Sequence, residues 1–407
     1  MSIERSTQNS QGKPRLKTCK PEDHIRELAE YNNEDRKGIR YREKLYATSE
    51  IGRGGFGTVY KGHKCIERDD KWTCIIKEPL AIKVLDSPTE SGSAYKYSKG
   101  SRRAQMECDA HKYLKNIECV VTPKMLPKKI SQNHQTILVM EYCDHGDLDK
   151  YMKKSGKKDL KEPNEFLAKK LVKSVVKGLQ ALYEQNFFHR DVKASNVFVT
   201  GSIEDPTFKL GDFGLVAKLG ERNRDVCGTP TAMAPEMDGK QVYSEKVDIW
   251  SLGILMYSKL IGRNPYAFDA KADTQTRIKA ITQPLSLNDA PISDNAKDLL
   301  SLMLQKNPDH RIDLRGIENH PFLRNDPSRQ IAAGTTTSDS GFVTSSTLLS
   351  GYDHHYNLAP STRTKFAPLH ELPETSHRAH AISLSSIQPR GSIIGNFCLV
   401  KHSLSFC

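Results

Sequence analysis

The chain has 407 residues, of which 37% are hydrophobic, and its formal net charge is +12. This length suits two or three domains of about 150 residues each. Because globular chains usually contain about 45–50% apolar residues, we expect part of this chain to lie outside a packed core. No apolar run approaches the roughly 18 residues needed to span a membrane, and residues 1–14 are too polar for a signal peptide. We therefore expect neither an integral membrane protein nor a secreted one.

The composition also bears on compartment and partners. None of the nine cysteines forms a C-x-x-C pair. We therefore predict separate, reduced thiols in a cytoplasmic or nuclear protein, rather than a zinc finger or a disulfide framework. Lysines and arginines are spread singly, without a basic block interleaved with aromatic residues. We expect a solvated basic surface that binds phosphate ligands at most, with no nucleic-acid partner and no membrane partner.

Composition divides the chain into three parts. Residues 1–45 are polar and charged, which predicts a flexible N-terminal arm with at most one short helix, between residues 21 and 36. Residues 46–323 carry strand patterns first and helix patterns afterwards, as one large domain. From 324 to 407 the composition changes, and ten of the twenty residues in 331–350 are Ser or Thr. Such a segment cannot offset its ordering entropy, so we predict a disordered tail rich in Ser, Thr and His.

The first half of the domain is predicted to be mostly β-structure. Leu80 to Val84 is an apolar, β-branched run and predicts a strand. Residues 86–101 lack periodicity and predict a loop, followed by a helix from about Arg102 to Leu114. Thr136 to Met140 predicts another short strand.

The second half is predicted to be mainly helical. An amphipathic helix is indicated by an apolar stripe at steps of three and four, namely Leu167, Leu171, Val175, Leu179 and Leu182. Asn196 to Thr200 and Phe208 to Leu210 predict short strands. Val247 to Ile261 is apolar nearly all round, which indicates a buried helix. Leu299 to Leu304 belongs to a further helix.

Glycines recur at Gly52, Gly54, Gly55 and Gly57, in a segment that ends at Val59. Glycines at these spacings let the backbone approach phosphates and direct N–H groups at them. A glycine-rich hairpin turn without a ligand has the same appearance, so this segment alone leaves both interpretations open. No helix with a ribose-binding acid follows, which argues against a dinucleotide site.

Lys83 lies inside a predicted strand of apolar residues. A half-buried lysine costs desolvation free energy unless a carboxylate pairs it. We expect Glu107 to be that partner, because it lies at one edge of the apolar face of the next helix, and Asp109 is the competing candidate. If Lys83 has no function, we expect it instead to lie on an edge strand and to point at solvent.

The most informative segment runs from His189 to Asn196 and reads HRDVKASN. Its Asp191 and Asn196 offer a carboxylate that can accept a hydroxyl proton and an amide oxygen that can bind Mg²⁺. Sixteen residues later Asp212-Phe213-Gly214 places a carboxylate on a glycine turn, and Ala234-Pro235-Glu236 follows. This order and spacing indicate one catalytic constellation rather than chance.

In these motifs, residues 46–323 resemble the eukaryotic protein kinase family. The resemblance implies an α+β, bilobal fold, with a small antiparallel β-rich lobe that carries one main helix and a larger, mainly helical lobe. It implies ATP and Mg²⁺ as cofactors, and transfer of the γ-phosphate to Ser or Thr hydroxyls of protein substrates. Implied nucleotide-binding residues are Ile51, Gly52, Gly54, Gly55, Phe56, Gly57, Val59, Ala81, Lys83, Met140, Glu141, Cys143 and Asp147. Implied metal ligands are Asn196 and Asp212, and implied catalytic residues are Asp191, Lys193, Lys83 and Glu107.

The resemblance also indicates which class of substrate to expect. Lys193, two residues after Asp191, is typical of the Ser/Thr branch, and its implied role is to stabilise charge on the γ-phosphoryl group. An ion pair between Glu236 and Arg311 is implied as a structural feature. The motifs are similar both to polo-like and to NIMA-related kinases, and the subfamily stays open. A scaffold with a kinase shape and a tail-mediated interaction protein are the alternative functions.

Two features depart from the family pattern. Twenty-three residues separate Val59 from Lys83, and we expect the extra residues, around Cys65 to Glu78, to lengthen a β-hairpin. His111 occupies a position that more often holds an aliphatic side chain.

Two expectations concern regulation and substrate choice. Residues 215–228 contain no Ser, Thr or Tyr, and Asp225 stands where related kinases place a phosphothreonine. We predict that Asp225 pairs with Arg190 instead, the alternative being an exposed aspartate without a partner. Kinases that prefer arginine before the acceptor commonly carry acidic residues at the positions matching Asp147, Ser195 and Ser258. Only Asp147 is acidic here, so we expect weak selectivity for basic peptides.

Overall fold

The computed structural model describes ten stretches of the chain, which all belong to one compact unit: 26–34, 40–55, 57–68, 71–75, 78–85, 94–125, 128–129, 136–156, 164–266 and 268–324. The predicted disordered tail, from residue 325 onward, and the predicted nucleotide-binding residue Phe56 lie outside these stretches. Both remain predictions.

The described strands come mostly before the described helices, as predicted. The strands are β1 (Arg26–Glu34), β2 (Arg40–Gly54), β3 (Gly57–Arg68), β4 (Lys71–Cys74), β5 (Leu80–Leu85), β6 (Lys128–Lys129), β7 (Thr136–Glu141), β8 (Phe187–Phe188), β9 (Val197–Gly201), β10 (Pro206–Leu210) and β11 (Ala217–Lys218). The helices are α1 (Ala94–Tyr113), α2 (Leu148–Lys154), α3 (Glu165–Glu184), α4 (Lys246–Ile261), α5 (Thr274–Thr282), α6 (Asp294–Met303), α7 (Leu314–Asn319) and α8 (Pro321–Arg324).

The N-terminal lobe is built on one antiparallel sheet. Its strand order is β1-β2-β3-β5-β7-β6, and β4 pairs with β3 outside this path. Apolar residues of the strands form a core on one face, which contains Leu28, Ala29, Leu45, Ala47, Leu80, Ile82, Val84, Ile137 and Val139. Together with the helical second lobe this confirms the predicted α+β, bilobal architecture.

The prediction of a flexible arm with one short helix is wrong for residues 26–34 and 40–45. β1 pairs with β2 from Arg26 to Glu34, with one register shift near Glu27. Leu28 and Ala29 are buried in the sheet core, at 8% and 5% exposure. With so few apolar residues the segment shows no periodicity of its own, and its strand conformation depends on the neighbouring strand.

The prediction of a lengthened hairpin is confirmed by β3 and β4, in which Cys65 lies opposite Cys74. The prediction of reduced thiols is wrong for this pair, because the structure joins the two sulfurs in a disulfide. Cysteine spacing alone did not indicate this pairing, since it follows from the strand register. Cys108, Cys119, Cys143 and Cys227 are not joined in disulfides, as expected.

The helix predicted from about Arg102 begins earlier, at Ala94. The predicted loop 86–101 is therefore wrong for residues 94–101, and its other residues lie outside the described part. Apolar periodicity detects a helix only where one face is buried, and this first part of α1 has no apolar stripe in its sequence.

The C-terminal lobe is a helical domain around α3 and α4. The five residues of the predicted stripe on α3 are all buried, and α4 is buried nearly all round, as predicted. Glu236 and Arg311 form the expected ion pair, with Nη1–Oε1 and Nη2–Oε2 distances of 2.6 and 3.0 Å. Among the helices of the described residues, none combines the length and the apolar character that a membrane crossing requires.

The placement of β1 is testable through Leu28. Leu28→Ala should lower the free energy of unfolding by about 2–3 kcal/mol, because it removes buried methyl groups from the sheet core. Asn32→Ala, at an exposed position of the same strand, is the matched control and should change little. Urea unfolding of both variants measures the difference. Equal stability of Leu28→Ala and the unmodified chain would show that residues 26–34 are not part of the sheet.

Candidate active site

A cavity of about 650 Å³ lies between the sheet and the helical lobe. Its volume is within the range of about 300–1,000 Å³ that is usual for small-molecule sites. The predicted site residues that line it are Ile51, Gly52, Gly54, Gly57, Val59, Ala81, Lys83, Glu107, Met140, Glu141, Cys143, Asp147, Asn196 and Asp212. The predicted residues Gly55, Asp191 and Lys193 lie outside this lining.

The glycine-rich turn connects β2 and β3 at one side of the cavity. Gly57 has a φ of +146°, and a Cβ there would lie 2.2 Å from the carbonyl oxygen of Val84, so only glycine fits. A Cβ at Gly52 or Gly54 would meet nothing within 4 Å. These two glycines leave the backbone uncovered on the cavity side, where a ligand can approach it closely.

The amino group of Lys83 joins three parts of the chain. Its Nζ lies 2.7 Å from Oε1 of Glu107 on α1 and 2.9 Å from Oδ1 of Asp212. The competing candidate Asp109 pairs instead with Lys112, one turn further along the same helix. The expected partner, Glu107, is therefore the one that the structure brings to Lys83.

Burial and the neighbouring charges shift the pKa values of Lys83 and Asp212 in opposite directions. Burial alone would lower the pKa of Lys83, but the negative charges of Glu107 and Asp212 outweigh it and raise that pKa. Desolvation in the cleft opposes ionisation of Asp212, yet the neighbouring Lys83 lowers the pKa of Asp212 below its usual value. Lys83 is therefore a permanent cation, and Asp212, whose side chain is 41% exposed, is a permanent anion facing the cavity.

Asp191 is held by hydrogen bonds to both carboxylate oxygens. Oδ1 accepts from the N–H and the hydroxyl of Thr229, at 2.9 and 2.8 Å. Oδ2 accepts from Nδ2 of Asn196 at 3.0 Å and lies 2.8 Å from Nζ of Lys193. The carboxylate thus has a fixed orientation at the edge of the cavity.

Asn196 and Asp212 have the chemistry of ligands for a hard cation. Nδ2 of Asn196 donates both its hydrogens to Asp191, so the amide oxygen faces away from that residue. Within the described residues no donor binds that amide oxygen. Amide and carboxylate oxygens are the ligands that Mg²⁺ prefers. Both residues line the cavity, and they fit a magnesium ion bound together with phosphates.

The backbone around these groups is fixed by a buried carboxylate. Asp248, at the start of α4, accepts from the N–H groups of His189 and Arg190, both at 2.7 Å. Arg190 and Asp212 adopt left-handed φ angles of 70° and 57°. Such angles are uncommon for residues other than glycine and persist only where the surroundings impose them.

The hinge between the lobes supplies the remaining predicted residues. The carboxylate of Glu141 accepts from the N–H of Thr122 at 2.6 Å and from Nζ of Lys209 at 3.0 Å, so its side chain is engaged within the protein. Burial raises the pKa of the Cys143 thiol to about 12, which makes it a poor nucleophile. Asp147 caps α2 by accepting from the N–H of Lys150 at 2.9 Å.

The predicted pair of Asp225 with Arg190 is wrong. The guanidinium of Arg190 donates to the carbonyl of Leu215 and to the hydroxyl of Tyr243. The Tyr243 hydroxyl in turn donates to the backbone carbonyl of Asp225 at 2.7 Å. The Asp225 carboxylate lies instead 3.9 Å from Nη2 of Arg103 on α1. A tyrosine 18 residues further along the chain therefore takes the place that we assigned to the carboxylate.

Two residues of this site were missed by the sequence reasoning. Thr229 contacts both Asp191 and Lys193, the latter at 2.7 Å from Nζ to Oγ1. Tyr243 connects Arg190 to the segment that contains Asp225. Neither residue belongs to a motif near its partner in sequence, so no local spacing indicated these contacts.

His111 on α1 is a buried imidazole beside the cavity. Neither of its ring nitrogens has a hydrogen-bond partner within the described residues. Its ring packs edge-on against Phe213, with centroids 5.2 Å apart. Burial, together with the positive charge of Lys83, lowers the pKa of His111 from 6.5 to about 3. The imidazole is therefore neutral in the folded protein.

This neutral histidine makes stability depend on pH. Below about pH 6.5 the unfolded chain protonates this imidazole and the folded chain does not, so acid favours unfolding by about 1.4 kcal/mol per pH unit down to the folded pKa. His111→Leu should remove this part of the pH dependence and raise stability near neutral pH, since it deletes unsatisfied buried nitrogens. Urea unfolding of both proteins at about pH 7.5 and about pH 5.5 measures it. If the unmodified chain and His111→Leu lose the same free energy of unfolding on acidification, the assignment of a neutral His111 is contradicted.

Comparison with known proteins identifies the family of this site. Residues 46–323 match the sequence profile of the protein kinase domain. The chain is 30% identical over 329 residues to serine/threonine-protein kinase PLK4 of Drosophila grimshawi, which covers 80% of this chain and 39% of that protein. It is 29% identical over 335 residues to the PLK4 of Aedes aegypti, which covers 79% and 39%. The chain therefore spans less than two fifths of the length of these polo-like relatives. From the match over its domain, this chain belongs to the protein kinase family.

Proposed function

We propose that this chain is an active serine/threonine protein kinase, which transfers the γ-phosphate of ATP to Ser and Thr hydroxyls of protein substrates. The observation that carries the proposal is the contact of Lys83 with both Glu107 and Asp212 at the wall of one cavity. Phosphoryl transfer requires positioned charges rather than covalent chemistry by the protein. A scaffold without activity does not need these three charges to be held together.

Each side chain has a defined task in this proposal. Lys83, fixed by Glu107, binds the α and β phosphates from the sheet side. Asn196 and Asp212 hold Mg²⁺, which neutralises charge on the phosphates when bound. Asp191 orients the acceptor hydroxyl and receives its proton. Lys193, beside Asp191 and Thr229, stabilises charge on the transferred group.

The proposal for the acceptor residue rests on the segment after Asp191. Lys193 lies 2.8 Å from the Asp191 carboxylate, and a lysine two residues after this aspartate is typical of the Ser/Thr branch. The relatives named above carry serine/threonine-protein kinase in their names. We propose a site of action in the cytoplasm or nucleus, without nucleic-acid or membrane partners, on the composition described above.

Asp191→Asn tests the chemistry directly. The substitution keeps the shape but removes the base, so kcat should fall by about 10²–10³. The KM for ATP should change little, since Asp191 lies outside the cavity lining. Transfer of radiolabelled phosphate to a Ser/Thr peptide measures both. Asp205→Asn, the same substitution at an exposed position paired with Lys170, is the control. Equal rates for Asp191→Asn and the unmodified enzyme would overturn the proposed function.

Substrate selectivity follows from the state of Asp147. Its carboxylate caps α2 and also lies 3.0 Å from Nζ of Lys150, so its charge is already compensated. We therefore expect a peptide library to show weak preference for arginine before the acceptor. Lys150→Ala should free this charge and increase the preference for arginine severalfold. Strong arginine selection by the unmodified enzyme would contradict this.

We expect the enzyme to be active without phosphorylation of the loop formed by residues 215–228. Arg102 lies 2.8 Å from Glu221, and Arg103 lies 3.9 Å from Asp225, so two ion pairs join α1 to this loop. Because α1 carries Glu107, we propose that these pairs hold the Lys83 partner in place. Exposed pairs contribute about 1 kcal/mol or less each.

The combined variant Arg102→Ala and Arg103→Ala should therefore lower the peptide rate by up to about fivefold for each pair removed. Lys112→Ala, which breaks a pair within α1 itself, is the control. Phosphatase treatment of bacterially expressed enzyme should leave most of its rate. Loss of the rate after phosphatase, or no effect of the double variant, would show that another contact orders the loop.

A further inference from the structure

A second cluster of potential ligands lies on the hairpin of β3 and β4, outside the cavity lining. A ring nitrogen of His63 and the sulfurs of Cys65 and Cys74 all lie within 4.8 Å of one another. The three residues are buried, with 5%, 0% and 4% exposure. When cysteines are reduced, their sulfurs and an imidazole nitrogen are the ligand types that zinc sites use.

Strand geometry brings these three side chains to one face. The N–H of Ile75 donates to the carbonyl of Lys64 at 2.8 Å, and the next pair along the ladder is Cys65 with Cys74. In an antiparallel ladder the pair next to a hydrogen-bonded one has the closer side chains. His63 precedes Cys65 by two residues, so its side chain leaves the same face of the strand.

The ligand types select the metal. Two thiolates and one imidazole suit Zn²⁺, which prefers four ligands at tetrahedral positions. Mg²⁺ and Ca²⁺ prefer oxygen ligands and are excluded by this set. With three ligands from the protein, the fourth position is open to a water molecule.

Charged residues lie on the same face of the sheet as the cluster. The cross-strand partner of Cys65 on β2 is Lys44, which forms ion pairs with β1. Among the described residues, the ion pairs on this face of the sheet include Glu27, Glu30, Glu67, Arg42 and Lys44.

We propose that the reduced hairpin binds Zn²⁺ through His63, Cys65 and Cys74, and that oxidation to the disulfide of this structure releases the metal. The proposal is independent of the kinase reaction. The same two sulfurs form either the disulfide or the metal bonds, so the two states exclude each other.

The interconversion is ordinary thiol–disulfide exchange. Two equivalents of a small-molecule thiol reduce the Cys65–Cys74 bond, become joined in a disulfide themselves, and leave two protein thiols. Zn²⁺ then replaces the two thiol protons, which pass to solvent. In the reverse direction a small-molecule disulfide accepts two electrons and two protons, the cysteine sulfurs join, and Zn²⁺ leaves. The glutathione of the cytoplasm would favour the metal-binding form.

The experiment uses the full chain, reduced with a small thiol and then separated from it without oxygen. Co²⁺ serves as the spectroscopic probe and Zn²⁺ as its competitor. The reduced chain should bind one Co²⁺ with a thiolate-to-cobalt absorption band, and Zn²⁺ should abolish the band. The oxidised chain should not show it. Cys65→Ser and Cys74→Ser should each lose the band, while Cys119→Ser, a free cysteine elsewhere, should keep it.

His63→Ala keeps both cysteines and tests the site even if the serine variants fail to fold. It should weaken Co²⁺ binding by at least about tenfold, since even indirect partners of metal ligands cost that much. Histidines elsewhere in the chain are identical in all variants and cancel in the comparison. The proposal is overturned if His63→Ala or the serine variants bind Co²⁺ as the unmodified chain does. It is also overturned if thiol titration of the folded chain shows that the disulfide resists reduction, or if the reduced chain binds no metal.

Discussion

The positive charge of Lys83 is the interaction on which the two lobes depend. A buried amino group is costly to desolvate, and here two carboxylates from different segments offset that cost. One belongs to α1 and the other to the turn after β10, so the pairing fixes a strand, a helix and a loop relative to one another. The cavity exists in this form because these three elements meet at one charge.

The helical lobe contributes a second set of constraints, which act on the backbone. Asp248 accepts from two consecutive N–H groups, and His189 contacts the carbonyl of Gly211 at 3.0 Å. These contacts hold the segment that contains Asp191 against the segment that contains Asp212. The left-handed φ angle of Asp212 is maintained by this framework. Sheet and helical lobe thus present opposite charges to the same cavity from rigid supports.

The sequence predicted contacts that lie within one motif or on one helix face. Glu107 was identifiable as the partner of Lys83 because helical periodicity fixes which side of α1 faces the core. Thr229 and Tyr243 were not identifiable, since their partners lie in other motifs and the path of the loop between them is not encoded in local spacing. For the same reason the assignment of Asp225 to Arg190 failed.

The errors in the N-terminal lobe have a related cause. Among the described side chains of β1, Leu28 and Ala29 are buried in the core and Tyr31 packs against it. Such a short apolar pattern is not recognised as a strand without β2. The Cys65–Cys74 bond depends on hairpin register. β3 ends at Arg68 and β4 begins at Lys71, so the two cysteines lie at equal distances from the turn, but this symmetry is apparent only when the strand ends are known. Composition alone, which counted nine scattered cysteines, could not reveal it.

A double-mutant cycle between Lys83 and Glu107 tests the central claim most directly. The rates to compare are kcat/KM for peptide phosphorylation by Lys83→Met, Glu107→Gln and the double variant, with Asp109→Asn on the same helix as control. If the pair acts as one unit, kcat/KM falls at least about tenfold in each single variant. The kcat/KM of the double variant then equals that of Lys83→Met within about threefold. Losses that multiply in the double variant, or a loss in Asp109→Asn equal to that in Glu107→Gln, would contradict the account.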